Sequence, residues 1–292
     1  MAVPLFQEPY GGNVRLVENL CCVPVVLSTK INKKMDLNSL YDLTGKVAVV
    51  TGGGDGIGRA ICLVLAAAGA KVVVSDLSMS KSISTANDIK ATGGDAVAVE
   101  CDVLNQDDLQ RLVRVAIDTC GTVNILVNNA GMGGGGRENP FKIDRAYVER
   151  IYAINVFAPW QLSRLVAPFM QQSGYGSIVN ITSMSSINND PDMAIYGSSK
   201  AALNHMMSNL ACDYGPMGIR VNCVGPGATR TGALAAVITP DIEARMLAHT
   251  PIKRLGEPCD IAHAVLFFAA PVSSWVSGQT LMVNGGGVQS LK

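Results

Sequence analysis

From residue 44 onwards, short apolar runs alternate with longer amphipathic stretches. The runs read as buried strands: K-V-A-V-V-T at 46–51, K-V-V-V-S-D at 71–76, A-V-A-V-E-C-D at 96–102, N-I-L-V-N-N at 124–129, G-S-I-V-N-I-T at 176–182, I-R-V-N-C-V at 219–224 and T-L-M-V-N at 280–284. They are almost continuously Val, Ile and Leu, as parallel strands covered on both faces must be. Between them the spacing of apolar positions predicts helices over about 56–68, 80–92, 105–119, 144–172, 194–214, 240–248 and 258–269. Regular strand–helix alternation implies right-handed crossovers. The expected fold class is therefore α/β: one doubly wound parallel sheet of about seven strands with helices on both faces.

After residue 44 there is no linker, repeat or low-complexity tract, so residues 42–292 read as a single domain. The stretch 226–256 is the least regular, rich in Gly, Ala, Thr and Pro, and is a candidate substrate loop. Residues 1–41 fall outside the pattern as an N-terminal extension. Within it, L-C-C-V-P-V-V-L is short, holds a proline, and lacks the basic start and small-residue cleavage site of a signal peptide. Residues 1–34 read as an upstream extension of the reading frame, a tag-like leader or a weakly ordered arm.

Composition narrows the function classes. The chain has 292 residues, enough to bury a sizeable core. Its 23 basic and 23 acidic side chains cancel, so no net field draws in nucleic acid or an anionic membrane. No run reaches the roughly 18 apolar residues of a membrane span. The eight cysteines form no C-x-x-C pair, and several, such as Cys101 and Cys223, sit inside apolar runs. They read as buried free thiols, which predicts a reducing, cytoplasmic setting. His205, His249 and His263 lack metal-ligand spacing, and no metal is expected.

The loop T-G-G-G-D-G-I-G (51–58) joins the first strand to the first helix. Glycines there allow a tight turn and close approach of a pyrophosphate to a helix N-terminus. Its spacing is G-x-x-x-G-x-G, through Gly52, Gly56 and Gly58, not the literal Rossmann fingerprint. Asp76 ends the second strand, where a carboxylate can bind both ribose hydroxyls of NAD and repel a 2′-phosphate; it also reads as a strand-end turn residue. Leu77 follows it instead of an arginine, and Asp55 in the glycine loop is acidic too, so nothing here is built for NADP. Asp102-Val103 follow the third strand, where an adenine would lie. N-N-A-G (128–131) follows the fourth and reads either as crevice lining or as a plain strand-to-loop turn.

Tyr196 and Lys200 are four residues apart in Y-G-S-S-K, on one face of the predicted helix. An ammonium beside a phenol favours the phenolate, whose pKa is ordinarily about 10. Such a tyrosine can take a proton from an alcohol or give one to a ketone. Ser183, thirteen residues upstream of Tyr196, could hold the reacting oxygen.

Together these motifs resemble the short-chain dehydrogenase/reductase family. The matching elements are T-G-x-x-x-G-x-G at 51–58, Asp102, N-N-A-G at 128–131, Asn155 in I-N-V, Ser183, Y-x-x-x-K at 196–200 and P-G-x-x-x-T at 226–231, over about residues 42–292. The resemblance implies a Rossmann-like fold and a secondary-alcohol oxidoreductase using NAD. It assigns Ser183, Tyr196, Lys200 and Asn155 to catalysis, with Asn155 holding a water that passes the proton outwards from Lys200. It assigns Gly52, Gly56, Ile57, Gly58, Asp76, Asp102, Val103, Asn129, Ala130, Gly131, Tyr196, Lys200, Pro226, Gly227 and Thr231 to the cofactor, with Thr231 and the backbone near Pro226–Gly227 on the carboxamide. Thr231 reads equally as a helix cap. Substrate contacts fall to Ser183, Tyr196, Asn188 and, further out, Met193. A homotetramer or homodimer is also implied.

Within the family the chain is most similar to bacterial 7α-hydroxysteroid dehydrogenases, through N-N-A-G-M-G-G-G-G (128–136), I-T-S-M-S-S (181–186), residues 237–256 and the C-terminal 275–292. That implies oxidation of the 7α-hydroxyl of a bile acid or steroid. Three other readings stay open: a 3-oxoacyl carrier-protein reductase, which the acidic Asp76 and Asp55 oppose; a sugar or polyol dehydrogenase; and a non-catalytic NAD-binding module, against which the intact Ser–Tyr–Lys set weighs.

Overall fold

The computed structural model describes residues 37–133, 138–189, 191–235 and 238–287. The reading of residues 1–36 as part of an extension lies outside the described residues. A short helix, α1 (Leu37–Tyr41), precedes β1 (Val47–Thr51), α2 (Gly56–Ala67), β2 (Lys71–Asp76), α3 (Met79–Ala91), β3 (Ala96–Glu100), α4 (Gln106–Cys120) and β4 (Ile125–Asn128). The second half runs α5 (Arg145–Tyr152), α6 (Ala158–Ser173), β5 (Gly176–Ile181), α7 (Ala194–Tyr214), β6 (Ile219–Pro226), α8 (Gly232–Ala235), α9 (Pro240–Ala248), α10 (Pro258–Ala269) and β7 (Thr280–Val283).

All seven strands form one parallel sheet in the order β3-β2-β1-β4-β5-β6-β7. Period-two alternation sends successive side chains to opposite faces. Ala48 and Val50 of β1 join Ile61, Leu65, Val265 and Phe268 under α2 and α10. Val47 and Val49 join Leu109, Leu112, Leu162, Met170 and Met207 under α4, α6 and α7. Each face is sealed by helices, which is why the strands are apolar on both sides.

Strand ends shift from expectation by one or two residues; β6 runs on to Pro226. The helix expected over 144–172 is instead two α-helices joined by a π-turn at Ala153–Phe157, where the Ala158 N–H reaches back to the Ala153 carbonyl. Pro159 accounts for the break. It has no N–H to give the carbonyl of Asn155, four residues earlier. Within the loop 226–256 the helix expected over 240–248 is α9, while α8 and a bridge from Thr229 to Gly256 add order that the composition did not predict.

Gly58 lies where the first turn of α2 crosses the loop from β1. A Cβ there would sit 1.9 Å from the Gly52 carbonyl oxygen and 2.5 Å from Asn129 Nδ2. Gly215, after α7, has nothing within 4 Å of that position and an ordinary helical φ of −51°. Gly58→Ala is expected to cost about 1–3 kcal/mol, lowering Tm by roughly 2–4 °C per kcal/mol, while Gly215→Ala, which meets no such contact and only the milder restriction on a helical residue before Pro216, loses less. Thermal denaturation of the two variants checks this.

Candidate active site

Helix α2 leaves β1 over one face of the sheet, and α5 and α6 leave β4 over the other. The connections part at the carboxyl ends of these adjacent strands and open a crevice there. Two side chains fix its floor. Thr51 Oγ1 accepts the N–H groups of Asn129 and Ala130, both at 3.1 Å. Asn129 Nδ2 donates to the carbonyls of Thr51 and Gly52, both at 3.0 Å. Asn129 is thus a tie between the two loops as well as crevice lining.

On the α2 side, Gly52 and Gly56 have φ of 62° and 51°, a backbone that glycine alone adopts without strain. Asp55 caps α2 by accepting the Gly56 N–H at 2.7 Å and pairs with Lys81 at 2.9 Å. The amides of Ile57 and Gly58 lie in the first turn, where an anion is favoured. Asp76 accepts the Gly54 N–H on one oxygen and the Ser78 N–H on the other, each at 3.0 Å. A carboxylate has about four acceptor sites, so capacity remains for two ribose hydroxyls. Asp102 sits beside it, because Cys101 N–H bonds the Asp76 carbonyl. Its carboxylate accepts the Leu104 N–H at 2.9 Å, and Val103 is half-buried.

Across the crevice, the Thr231 methyl lies 3.4 Å from where a Gly56 Cβ would be. Thr231 Oγ1 also accepts the Leu234 N–H at 3.3 Å, so the cap reading is met as well. Gly227 gives its N–H to the Val283 carbonyl and its C=O accepts the Thr229 hydroxyl. A carboxamide contact from Gly227 would therefore have to share a bonded group. The open cradle at Gly52–Gly58, the placed carboxylate of Asp76 and the facing Thr231 fit an elongated dinucleotide without a 2′-phosphate. Among the described residues no cluster of His, Cys, Asp and Glu could hold a metal ion.

Helix α7 brings Tyr196 and Lys200 together one turn apart, and Ser183, at the exit of β5, meets them. Ser183 hydrogen-bonds the Tyr196 phenol and also accepts the Ser185 N–H at 3.1 Å. Lys200 is 4 % exposed and, among the described residues, has no carboxylate partner. Its ammonium donates to the Ile181 carbonyl at 2.9 Å and lies 5.9 Å from the centroid of the Tyr196 ring. Burial draws it down from the ordinary lysine value to about 8. The phenol does not follow the expectation that Lys200 lowers it. Burial pushes Tyr196 up, the charge of Glu138 adds to this, and the Ser183 hydrogen bond pulls the other way.

Asn155 is fully buried in the π-turn. Its Oδ1 accepts the Met132 N–H at 3.0 Å, and its Nδ2 donates to the Met132 carbonyl at 2.9 Å and to Ser199 Oγ at 3.0 Å. Both amide protons are committed, so a bound water would donate to an oxygen, either the second lone pair of Oδ1 or the backbone carbonyl that Pro159 cannot cap. A Cβ on Gly131 would lie 3.2 Å from both Asn155 Oδ1 and Lys200 Nζ, which puts N-N-A-G against the catalytic candidates.

Asn188 and Met193 do not join this cluster. They line a cavity of about 510 Å³ with Ser185, Ile187, Pro191 and Gly197, and neither Ser183 nor Tyr196 lines it. The Nδ2 of Asn188 is buried without a hydrogen-bond partner. Sequence reasoning quoted Thr51 within the glycine motif but gave it no role. It also missed Gly133, whose Cβ would lie 2.7 Å from the Tyr196 ring, and the buried Glu138.

A family model described as enoyl-(acyl carrier protein) reductase matches residues 52–287. The 7α-hydroxysteroid dehydrogenase of Escherichia coli K12 is 50 % identical over 249 residues, 85 % of this chain and 96 % of that protein. A tropinone reductase homologue of Arabidopsis thaliana is 34 % identical over 255 residues, 86 % of this chain and 96 % of its own. A solved 7α-hydroxysteroid dehydrogenase complexed with NADH and 7-oxo glycochenodeoxycholic acid superposes with a TM-score of 0.84 at 49 % identity, covering 88 % of this chain and all of the other.

The buried ammonium has a measurable cost. The folded value of about 8 lies below the ordinary 10.5, so the unfolded chain binds more protons between those pH values. Lys200 therefore opposes folding fully below pH 8, by about 3 kcal/mol, and the penalty fades towards pH 10.5. In Lys200→Met the Ile181 carbonyl loses its donor, a pH-independent loss of about 1–3 kcal/mol. Urea unfolding is expected to show Lys200→Met gaining on the wild type at pH 7 and losing that gain as pH rises past 8; a pH-independent difference would refute it.

Proposed function

The chain belongs to the short-chain dehydrogenase/reductase family, and we propose that it oxidises the 7α-hydroxyl of a bile acid or related steroid to the ketone with NAD. One observation carries the reading. The sequence is half identical to an enzyme named for that activity, and Ser183, Tyr196 and Lys200 converge beside a cradle that fits NAD.

Each side chain then has a task. Tyr196 accepts the proton of the substrate hydroxyl in oxidation and returns it in reduction. Ser183 holds the substrate oxygen and stabilises the charge that develops there. Lys200 holds positive charge within the same low-dielectric pocket and positions the nicotinamide ribose. The Asn155 carbonyl holds a water that carries the proton outwards. Asp76 accepts the adenosine ribose hydroxyls and disfavours a 2′-phosphate. Bound NAD supplies the hydride acceptor and, when oxidised, a positive charge that favours the phenolate.

The substrate class is supported by α9, which presents Ile242, Met246 and Leu247 without one fully buried residue. A rigid apolar substrate would cover such a face. Asn188, with its spare donor, would contact a polar group on that substrate, and Met193 its apolar body. Exposed Trp160 on α6 and Leu281 on the edge strand β7 support a homodimer or homotetramer. Cys62, Cys101 and Cys223 are buried free thiols, which supports a cytoplasmic setting. No described helix is long and apolar enough to cross a membrane.

With NAD, cholate or chenodeoxycholate is expected to yield NADH, followed by its absorbance, while the 7β epimer is not. Turnover of both epimers would overturn the assigned stereochemistry. Tyr196→Phe should bind NAD as the wild type does and lose at least about 100-fold in kcat, the scale of general acid–base catalysis. Asp76→Ala should weaken NAD and narrow the preference over NADP; an unchanged ratio of kcat/KM values would remove Asp76 as the selector.

A further inference from the structure

We propose that Glu138 is a positioning residue for Tyr196, holding its backbone at the start of α7 and, through its negative charge, setting how tightly the phenol keeps its proton. The inference rests on the acid–base role proposed for Tyr196. Helix α7 lacks a local cap: Met193, at its N-cap position, has no side chain that can accept the first-turn amides. Glu138, from the loop after β4, takes that place across 57 residues of sequence. Its Oε2 accepts the Ile195 N–H at 2.8 Å, and both oxygens accept the Tyr196 N–H, at 3.0 and 3.2 Å.

The carboxylate is locked from its other sides. It is 5 % exposed, accepts the Tyr147 hydroxyl of α5 at 2.9 Å, and the Glu138 N–H bonds the Asp192 carbonyl at 2.9 Å. Asp192 holds φ of 54°, an uncommon conformation for a residue with a side chain, so this connection is set with some strain. Among the described residues the ionisable neighbours are few. Tyr147 faces Glu138 from α5, and the Asp192 side chain points to solvent. The phenol itself meets Ser183 from the β5 exit and Lys200 from α7, with Glu138 acting from the helix start. A buried anion there makes the phenolate harder to form, opposite in sign to Lys200. The two charges bracket Tyr196 along one helix.

The experiment compares pH profiles of kcat/KM for alcohol oxidation in the full chain. In Glu138→Gln an amide oxygen in the Oε2 place can still accept the Ile195 and Tyr196 N–H groups while the NH2 donates to the Tyr147 oxygen, so the cap loses one Tyr196 contact along with its charge and otherwise survives. The rising limb should move to lower pH, by up to about one unit. In Glu138→Asp and Tyr147→Phe the charge remains, so the limb should not move to lower pH, although kcat falls. An unmoved limb in Glu138→Gln, or an equal downward shift in Tyr147→Phe, overturns the proposal and leaves Glu138 a structural cap. NMR titration of isotope-labelled tyrosine Cζ, assigned with Tyr196→Phe, reads the phenol without turnover. It should show lower proton affinity in Glu138→Gln. If the wild type oxidises no secondary alcohol but this shift appears, the proposed function falls and the electrostatic inference stands.

Discussion

Parting of the chain at the carboxyl ends of β1 and β4 is the constraint on which the site depends. Two parallel strands sit side by side while the segments leaving them turn to opposite faces of the sheet. A gap must open there, and an unsupported gap would leave backbone groups unpaired. Thr51 and Asn129 close that account by bonding each other's loops. The glycine loop can then be open and left-handed without being loose. Its third glycine, Gly58, is held so closely to Gly52 that no side chain could intervene.

At the other end of the crevice the chain buries a cation that no carboxylate matches among the described residues. Lys200 has a carbonyl, a phenol ring and a thiol strand around it, and its pKa falls accordingly. The buried carboxylate of Glu138 is spent on the helix start. Tyr196 thus feels burial and Glu138 pulling its proton affinity up, against Ser183 pulling it down. In the protein alone these influences leave the phenol's pKa above its ordinary value.

Much of this was legible in the sequence for identifiable reasons. A doubly covered parallel sheet forces near-continuous apolar strands, so all seven appeared at close to their true positions. Spacing four on α7 placed Tyr196 beside Lys200 because α7 is regular there. Glu138 was not legible, since it acts across 57 residues through a loop of no recognisable pattern. The sign of the phenol's shift was also hidden. The spacing showed the lysine but not that its ammonium turns to the Ile181 carbonyl. Asn188 and Met193 were found by position alone, and the fold sets them on an adjoining cavity apart from Ser183 and Tyr196.

The π-turn at Ala153–Phe157 has a consequence for how the two helices beside it are clocked. One helical residue turns the chain by ~100°, so a turn holding one residue more than an α-turn rotates all that follows by about that angle. Helix α5 packs against α7, while α6 lies on β4 and β5. The extra residue is the gear that lets one continuous run of backbone face two different neighbours. Asn155, seated in that gear, is aimed inwards by the same mismatch in phase, so its orientation is a property of helix winding as much as of its own hydrogen bonds.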